Sequence, residues 1–351
     1  MKKYYTRACN FCYGKDAINL INNNEALPLC GNKKIAFSKV EIFIRNKNKI
    51  SSKIISLKSI KDQVLDLKKK IRKDIKLITS KRKNFNNPFV MGILNMTPDS
   101  FSDGGMFNSK IKGMKQIDLM IKSGAQIIDV GGESTRPGSK TVHPKKEWKR
   151  IKNIIRIFKK KFPGTMLSVD TRKSEIMKQA IKYKTDIIND VSSFDYDTSS
   201  FQAVKYTNNW KVVHHMLGSP ENMQYNPKYK NVLLDIYDFF ENKLKNQLKS
   251  NKYKKKVILD PGIGFGKNLK HNLMLLSKIS IFHSLGFPIL IGTSRKRFIG
   301  QISEKFDTKE RVGGTISSVL FTLLQGVQIF RVHKVDEVKQ SIIVYRKLLD
   351  Q

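Results

Sequence analysis

The chain has 351 residues and a formal net charge of +38, with 67 basic side chains against 29 acidic ones. That length suits one large domain with a smaller appendage, and the absence of any run of eighteen apolar residues excludes an apolar helical membrane span. The three cysteines, Cys9, Cys12 and Cys30, fit reduced thiols in a cytoplasmic protein better than a disulfide framework.

The basic excess first points to nucleic acid. Lysines, however, outnumber arginines about fourfold and are spread through nearly every predicted helix, with no aromatic residues interleaved as stacking platforms. The pattern reads as compositional bias on solvated faces, with no nucleic-acid partner. Its remaining consequence is a positive field that attracts a polyanionic substrate.

Residues 1–87 form an N-terminal extension. The start, MKKYYTRACNFCYGK, lacks the apolar core and cleavage site of a leader peptide. Cys9 and Cys12 lie at C-x-x-C spacing, but no histidine stands near them to complete a zinc site. Alternation over Phe37 to Ile44 predicts a strand, and spacing over Lys61 to Ile78 predicts a helix with a basic face. Lys81 to Pro88 reads as a polar linker, and the extension as a packing appendage or a plug for the bottom of the larger domain, with a partner-binding or regulatory module as the alternative.

From Val90 onward, eight short apolar runs each end in a polar or glycine-rich flourish. They are Val90 to Gly105 (VMGILNMTPDSFSDGG), Ile127 to Gly138 (IIDVGGESTRPG), Met166 to Ser174 (MLSVDTRKS) and Asp186 to Ser193 (DIINDVSS), followed by Lys211 to Pro220 (KVVHHMLGSP), Val257 to Lys267 (VILDPGIGFGK), Pro288 to Arg297 (PILIGTSRKR) and Val327 to Lys334 (VQIFRVHK). Helical spacing falls between them, over Ile111 to Lys122, Lys145 to Lys161, Lys173 to Tyr183, Leu233 to Leu248, Asn272 to Leu285, Arg311 to Leu324 and Val335 to Leu349. Nearly continuous apolar strands fit a parallel sheet buried on both faces. Eight strand and helix units predict a TM (β/α)₈ barrel over residues 88–351, preceded by a small N-terminal α+β extension; a doubly wound open sheet is the alternative. In such a barrel the site forms at the C-terminal ends of the strands, where every unusual motif here lies.

The strand-end residues divide into two groups. Asp129, Asp170, Asp190 and Asp260, with Asn189 and Lys296, read as a polar cup for a planar heterocycle that offers N–H donors on one edge and a carbonyl on another; a buried salt-bridge network is the competing explanation. Arg136, Arg331 and His333 read as a diphosphate site, with Asn95 offering one neutral oxygen to Mg²⁺. The spacing of Gly262, Gly264 and Gly266 does not match a dinucleotide fingerprint, and reads instead as a tight loop carrying Phe265 against a flat ligand.

These strings closely resemble dihydropteroate synthases: GILNMTPDSFSDGG from Gly92, DVGGESTRPG from Asp129, SVDT from Ser168, NDV from Asn189, DPG-x-GFGK from Asp260, SRK from Ser294 and RVH from Arg331. The resemblance spans about Phe89 to Gln351. It implies a transferase of folate biosynthesis that condenses 6-hydroxymethyl-7,8-dihydropterin diphosphate with p-aminobenzoate, needs Mg²⁺, works as a homodimer and is a target of sulfonamides. It maps the pterin onto Asp170, Asn189, Asp260 and Lys296, and the diphosphate and Mg²⁺ onto Asn95, Arg136, Arg331 and His333. Thr135, Pro137 and Phe265 would flank p-aminobenzoate, with Phe101 closing the first loop over it. Asp170, Lys296, Arg331 and His333 would carry the catalysis.

Three positions depart from the family pattern. Arg297 stands where serine is common, Ile263 where phenylalanine is common, and Lys334 where an aspartate usually follows the histidine. His214 and His215 are expected in core or supporting roles. The competing functions are a corrinoid-linked methyltransferase pterin domain, which needs no diphosphate clamp, and a non-catalytic basic barrel.

Overall fold

The computed structural model describes residues 2–97, 106–246 and 256–350, without the side chains of 106–109. The extension is a four-stranded antiparallel sheet. Strand β1 (Lys2–Tyr13) pairs with β3 (Asn32–Asn46), which also pairs with β2 (Leu27–Leu29) and β4 (Lys49–Ser56). Helix α1 (Gly14–Asn22) follows β1, and α2 (Leu65–Thr79) covers the sheet. One face of β3, through Val40 and Ile42, meets Leu67, Ile71 and Ile78 of α2 in a small core. The expected strand 37–44 is thus the middle of a longer one. Its partner β1 went unforeseen because residues 2–13 (KKYYTRACNFCY) mix polar and apolar residues without strict alternation.

Eight parallel strands come next: β5 (Phe89–Asn95), β6 (Ile127–Gly131), β7 (Met166–Asp170), β8 (Ile187–Asp190), β9 (Trp210–His214), β10 (Val257–Asp260), β11 (Leu290–Ile291) and β12 (Ile329–Val332). Each of β5 to β9 pairs with the next, and β12 pairs with both β5 and β11. A single parallel bridge from Leu259 to Ile289 completes the ring. The (β/α)₈ barrel expected from the sequence is the fold, and the strands are buried almost throughout, as their apolar runs require. Among the described residues no helix is long and apolar enough to cross a membrane.

Most helices fall within a residue or two of their predicted spans, but the stretch 272–285 does not form one helix. An α-helix covers Leu269–Ser277 and a 3₁₀ segment covers Ile279–Leu285. The second piece is buried on every side, with Ile279, Ile281 and Phe282 fully enclosed. It lies against β1 of the extension, where Ser280 Oγ donates to the Ala8 carbonyl at 2.9 Å. Tertiary packing here overrides helical spacing.

Ion pairs fasten the extension to the barrel. Arg45 reaches Asp235 at 2.6 Å and Asp238 at 2.8 Å, Tyr5 donates to Asp238 at 3.0 Å, and buried Glu41 accepts from Arg7 and Lys278, each at 2.7 Å. The supposed polar linker is partly buried. Arg82 donates to the His283 carbonyl at 3.0 Å, and Phe85, 1% exposed, sits under the barrel with its ring 4.9 Å from Trp210 and 5.1 Å from Phe89. Phe85 closes the floor of the ring. Phe85→Ala should therefore lower unfolding free energy by about 3 to 5 kcal/mol, the usual effect of emptying a buried aromatic site; urea denaturation measures it, and a loss under about 1 kcal/mol would refute the plug.

Candidate active site

Strand register builds the site. Asn95 lies opposite Gly131, Gly131 opposite Asp170, and Asp170 opposite Asn189, so four neighbouring strands deliver one row to the upper end of the barrel. Gly131 has no side chain to fill that row: a Cβ there would lie 3.5 Å from the Asp170 Cβ and 3.8 Å from Asn95 Oδ1. Its absence leaves open space between the amide and the carboxylate. One layer lower, Asp129 lies opposite Ser168.

Arg331, from β12, crosses to both carboxylates. Its Nε donates to Asp129 Oδ2 at 2.6 Å and its Nη2 to Asp170 Oδ2 at 2.8 Å. Asp129 also accepts from Ser168 Oγ at 2.5 Å and from Asn189 Nδ2 at 3.2 Å. Asp129 is fully buried, and the donors around it offset the cost of burying its polar oxygens. The sequence placed Arg331 in a cation cluster apart from the acidic cup; the structure joins the two.

Burial pushes the Asp170 carboxyl up to about 8, with Arg331 pulling it back and the Asp129 carboxylate adding to the rise. One guanidinium is shared by two carboxylates, so it offsets only part of the cost of burying both. Asp260 rises to about 6 through burial, against a 2.8 Å bond from the Gly262 N–H and the charge of Lys296. Lys296 falls to about 8 through burial and repulsion from Arg331. Its Nζ lies 4.0 Å from the centre of the Phe265 ring, close enough for a cation–π contact. Phe265 is presented by a loop whose three glycines, Gly262, Gly264 and Gly266, all have positive φ, a conformation that disfavours any side chain.

Asp190 does not join the cup. Its Oδ1 accepts from the Ser192 N–H at 2.7 Å and hydroxyl at 2.6 Å, and its Oδ2 accepts from the Phe194 N–H at 3.0 Å. It caps a turn, the structural role that remained open from sequence. His333 is neutral rather than the imidazolium expected beside a diphosphate, because burial and the charges of Arg295, Arg331 and Arg136 hold it down to about 3. Ser294 Oγ lies 3.0 Å from its Nδ1 and orients it, while Lys334 turns outward to Glu337 at 3.1 Å.

Thr135 is half-buried, and Arg136 and Pro137 are exposed at the tip of their loop. Phe101 lies outside the described residues. Arg297 is exposed at the start of a short helix, Arg297–Ser303. Ile263 is 1% exposed and packed in the main apolar core. His214 and His215 are both buried: His214 Nδ1 lies 3.0 Å from the Val191 carbonyl, and His215 Nδ1 lies 3.0 Å from Lys267 Nζ. The Lys267 contact was not foreseen, and neither was the part played by Ser168. Ser168 could have been found from strand alternation with Asp170.

No three His, Cys, Asp or Glu side chains among the described residues come together to hold a metal ion. Asn95 offers a single amide oxygen at the rim. That donor set fits a cation that keeps water and completes its shell on substrate oxygens, as Mg²⁺ does.

The sequence profile described as "Pterin binding enzyme" matches residues 91–333. Dihydropteroate synthase of Escherichia coli strain K12 is 40% identical over 266 residues, covering 76% of this chain and 93% of that protein. Among solved structures, Yersinia pestis dihydropteroate synthase in complex with a sulfonamide drug superposes with a TM-score of 0.71 at 36% identity, covering 76% of this chain and 96% of that one. Xanthomonas albilineans dihydropteroate synthase with 4-aminobenzoic acid gives 0.70 at 32% identity, covering 76% and 94%.

Arg331→Met would leave Asp129 and Asp170 buried without their shared cation, at a loss of about 3 to 5 kcal/mol. Asp170 would lose the neighbour that lowers its pKa, so the folded state would bind more protons than the unfolded one and stability would fall as pH rises. Urea unfolding should show the variant's stability still falling above pH 8, where that of the wild type levels off; the same pH dependence in both would contradict the shared-guanidinium arrangement.

Proposed function

The chain belongs to the dihydropteroate synthase family, and from that premise we propose a division of labour among its residues. The enzyme is a transferase of folate biosynthesis: it condenses 6-hydroxymethyl-7,8-dihydropterin diphosphate with p-aminobenzoate to give 7,8-dihydropteroate and diphosphate. The observation that carries the residue assignments is the convergence of Arg331, Asp129, Asp170 and Asn189 in one hydrogen-bonded group, with Asn95 across Gly131 from it.

Asp170, Asn189 and Asp260 take the polar edge of the pterin, and Lys296 donates to its carbonyl side. A carboxylate accepting from a ring amino group and ring N–H matches donor to acceptor. Asn95, Arg136, Arg331 and His333 face the diphosphate; His333, as a neutral imidazole oriented by Ser294, contributes a single N–H. Asn95 would offer the one protein oxygen to Mg²⁺, which would supply charge neutralisation for the diphosphate.

The bond from the pterin methylene carbon to oxygen breaks, and diphosphate leaves with the electron pair. Asp170 stabilises the positive charge that develops on the pterin, an interaction that strengthens in the transition state. The amine of p-aminobenzoate then bonds to the carbon and loses a proton, which its own rising acidity makes easy. Thr135, Pro137 and Phe265 flank the arylamine and help to exclude water from it. Arg297 stands beside this pocket in sequence and suits the p-aminobenzoate carboxylate. The same pocket makes sulfonamides competitors of p-aminobenzoate.

Three unpaired thiols support a cytoplasmic location. Exposed apolar side chains on the late barrel helices, Leu273, Met274, Phe321, Ile343 and Val344, support a homodimer. Residues 1–87 form a separate unit that braces the barrel floor.

Incubation with Mg²⁺, p-aminobenzoate and the pterin diphosphate should release diphosphate and form dihydropteroate; no product from folded protein would overturn the assignment. Asp170→Asn should weaken binding of a pterin lacking diphosphate by about tenfold or more, the effect of losing a charge-assisted bond. Equilibrium fluorescence titration reads this, and unchanged affinity would remove Asp170 from the pterin edge.

A further inference from the structure

Glu133 joins the end of β6 to the loop that carries Thr135, Arg136 and Pro137. It is 7% exposed. Its Oε1 accepts from Arg172 Nε at 3.0 Å and Nη2 at 2.7 Å, and its Oε2 accepts from Lys173 Nζ and from the Val142 N–H at 3.3 Å. Lys173 also donates to Glu147, fully buried in the first turn of the helix Pro144–Lys161.

The connectivity of this group matters more than its charge. Arg172 and Lys173 follow Asp170 by two and three residues, so they leave the strand that holds the pterin-reading carboxylate. Glu133 lies at the start of the loop and Val142 at its far end, and Arg172 Nη2 also donates to Thr141 Oγ1 at 3.0 Å. One buried carboxylate thus pins both ends of the loop to the segment leaving β7. Gly132 presses the chain down further, since a Cβ there would lie 2.8 Å from the Glu147 carbonyl oxygen. Within the loop, the Gly138 N–H donates to the Pro220 carbonyl at 2.9 Å and Ser139 Oγ to the Ser134 carbonyl at 2.6 Å. The tip therefore projects from a fixed base. Four buried charges are a costly way to fasten a loop unless its position matters, because each must be paired and hydrogen-bonded.

We propose that Glu133, held by Arg172 and Lys173, is a positioning residue that sets the height and angle of the Thr135 to Pro137 tip over a substrate seated on Asp170. The proposal rests on the dihydropteroate synthase reading. Glu133 acts on the arylamine side and, through Arg136, on the diphosphate, and leaves the pterin cup alone.

The test is steady-state kinetics of the full chain carrying Glu133→Gln, beside equilibrium binding of a pterin that lacks diphosphate. KM for p-aminobenzoate should rise about tenfold, as small displacements of a binding group do, with a smaller fall in kcat and wild-type affinity for the pterin. KM does not depend on the folded fraction, so a fall in kcat with unchanged KM would mean a merely structural role and overturn the proposal. Equal loss of pterin binding would overturn it as well. Thr141→Val deletes the bond from Arg172 and the one that Thr141 donates to Glu221, both at the exposed end of the loop, keeps Glu133, and serves if Glu133→Gln does not fold; it should raise the same KM about threefold, and no rise would count against the proposal. A wild-type chain that makes no dihydropteroate would overturn the parent reading and this one with it.

Discussion

One guanidinium held between two buried carboxylates organises this protein. Arg331 comes from β12, and its partners Asp129 and Asp170 come from β6 and β7, with β5 lying between. The side chain therefore spans the mouth of the barrel. Neither carboxylate could be buried cheaply alone, and the arginine meets both only because the strand ring closes. Closure of the fold and assembly of the site are the same event.

That arrangement makes the acid and cation groups interdependent. Asp170 stays within reach of neutrality because Arg331 lowers its pKa while burial and Asp129 raise it. Lys296 is held down to about 8 by burial and by repulsion from Arg331, and His333 is kept neutral by burial and by surrounding arginines. In the proposed reaction a positive charge developing on the pterin would meet Asp170, and the departing diphosphate would meet Arg331. Both groups are fixed before any substrate arrives, which is how a site stabilises charge without reorganising.

Much of this was legible in sequence, and the exceptions have physical causes. The strand ends could be read because parallel strands are uniformly apolar, so that a sudden polar group such as Asp170 or Asn189 stands out. Asp190 was misplaced because sequence shows that a carboxylate lies at a strand end but not whether it faces the mouth or bonds to its own turn through Ser192 and Phe194. The pairing of Arg331 with Asp129 spans 202 residues and follows from barrel closure alone. Lys267, Glu133 and Lys173 carry no sign of burial in sequence; the fold shows Glu133 and Lys173 buried and paired with each other, and Lys267 buried against His215 and the Phe265 carbonyl. In the extension, β1 was missed because its evidence lies in its partner, and the break at Lys278 because the enclosing surface comes from another part of the chain.

The extension shows how a barrel can gain structure without disturbing its chemistry. Its contacts, from Arg45 to Phe85, meet the floor and one flank, while every proposed substrate group lies at the opposite end of the strands. The central claim is that the pterin cup forms around an arginine already fixed to Asp129. A crystal structure with a pterin lacking diphosphate tests it most directly. The account predicts the ring on Asp170, Asn189, Asp260 and Lys296, with Arg331 still bonded to Asp129; a pterin bound elsewhere, or an Arg331 displaced from Asp129 to admit it, would contradict it.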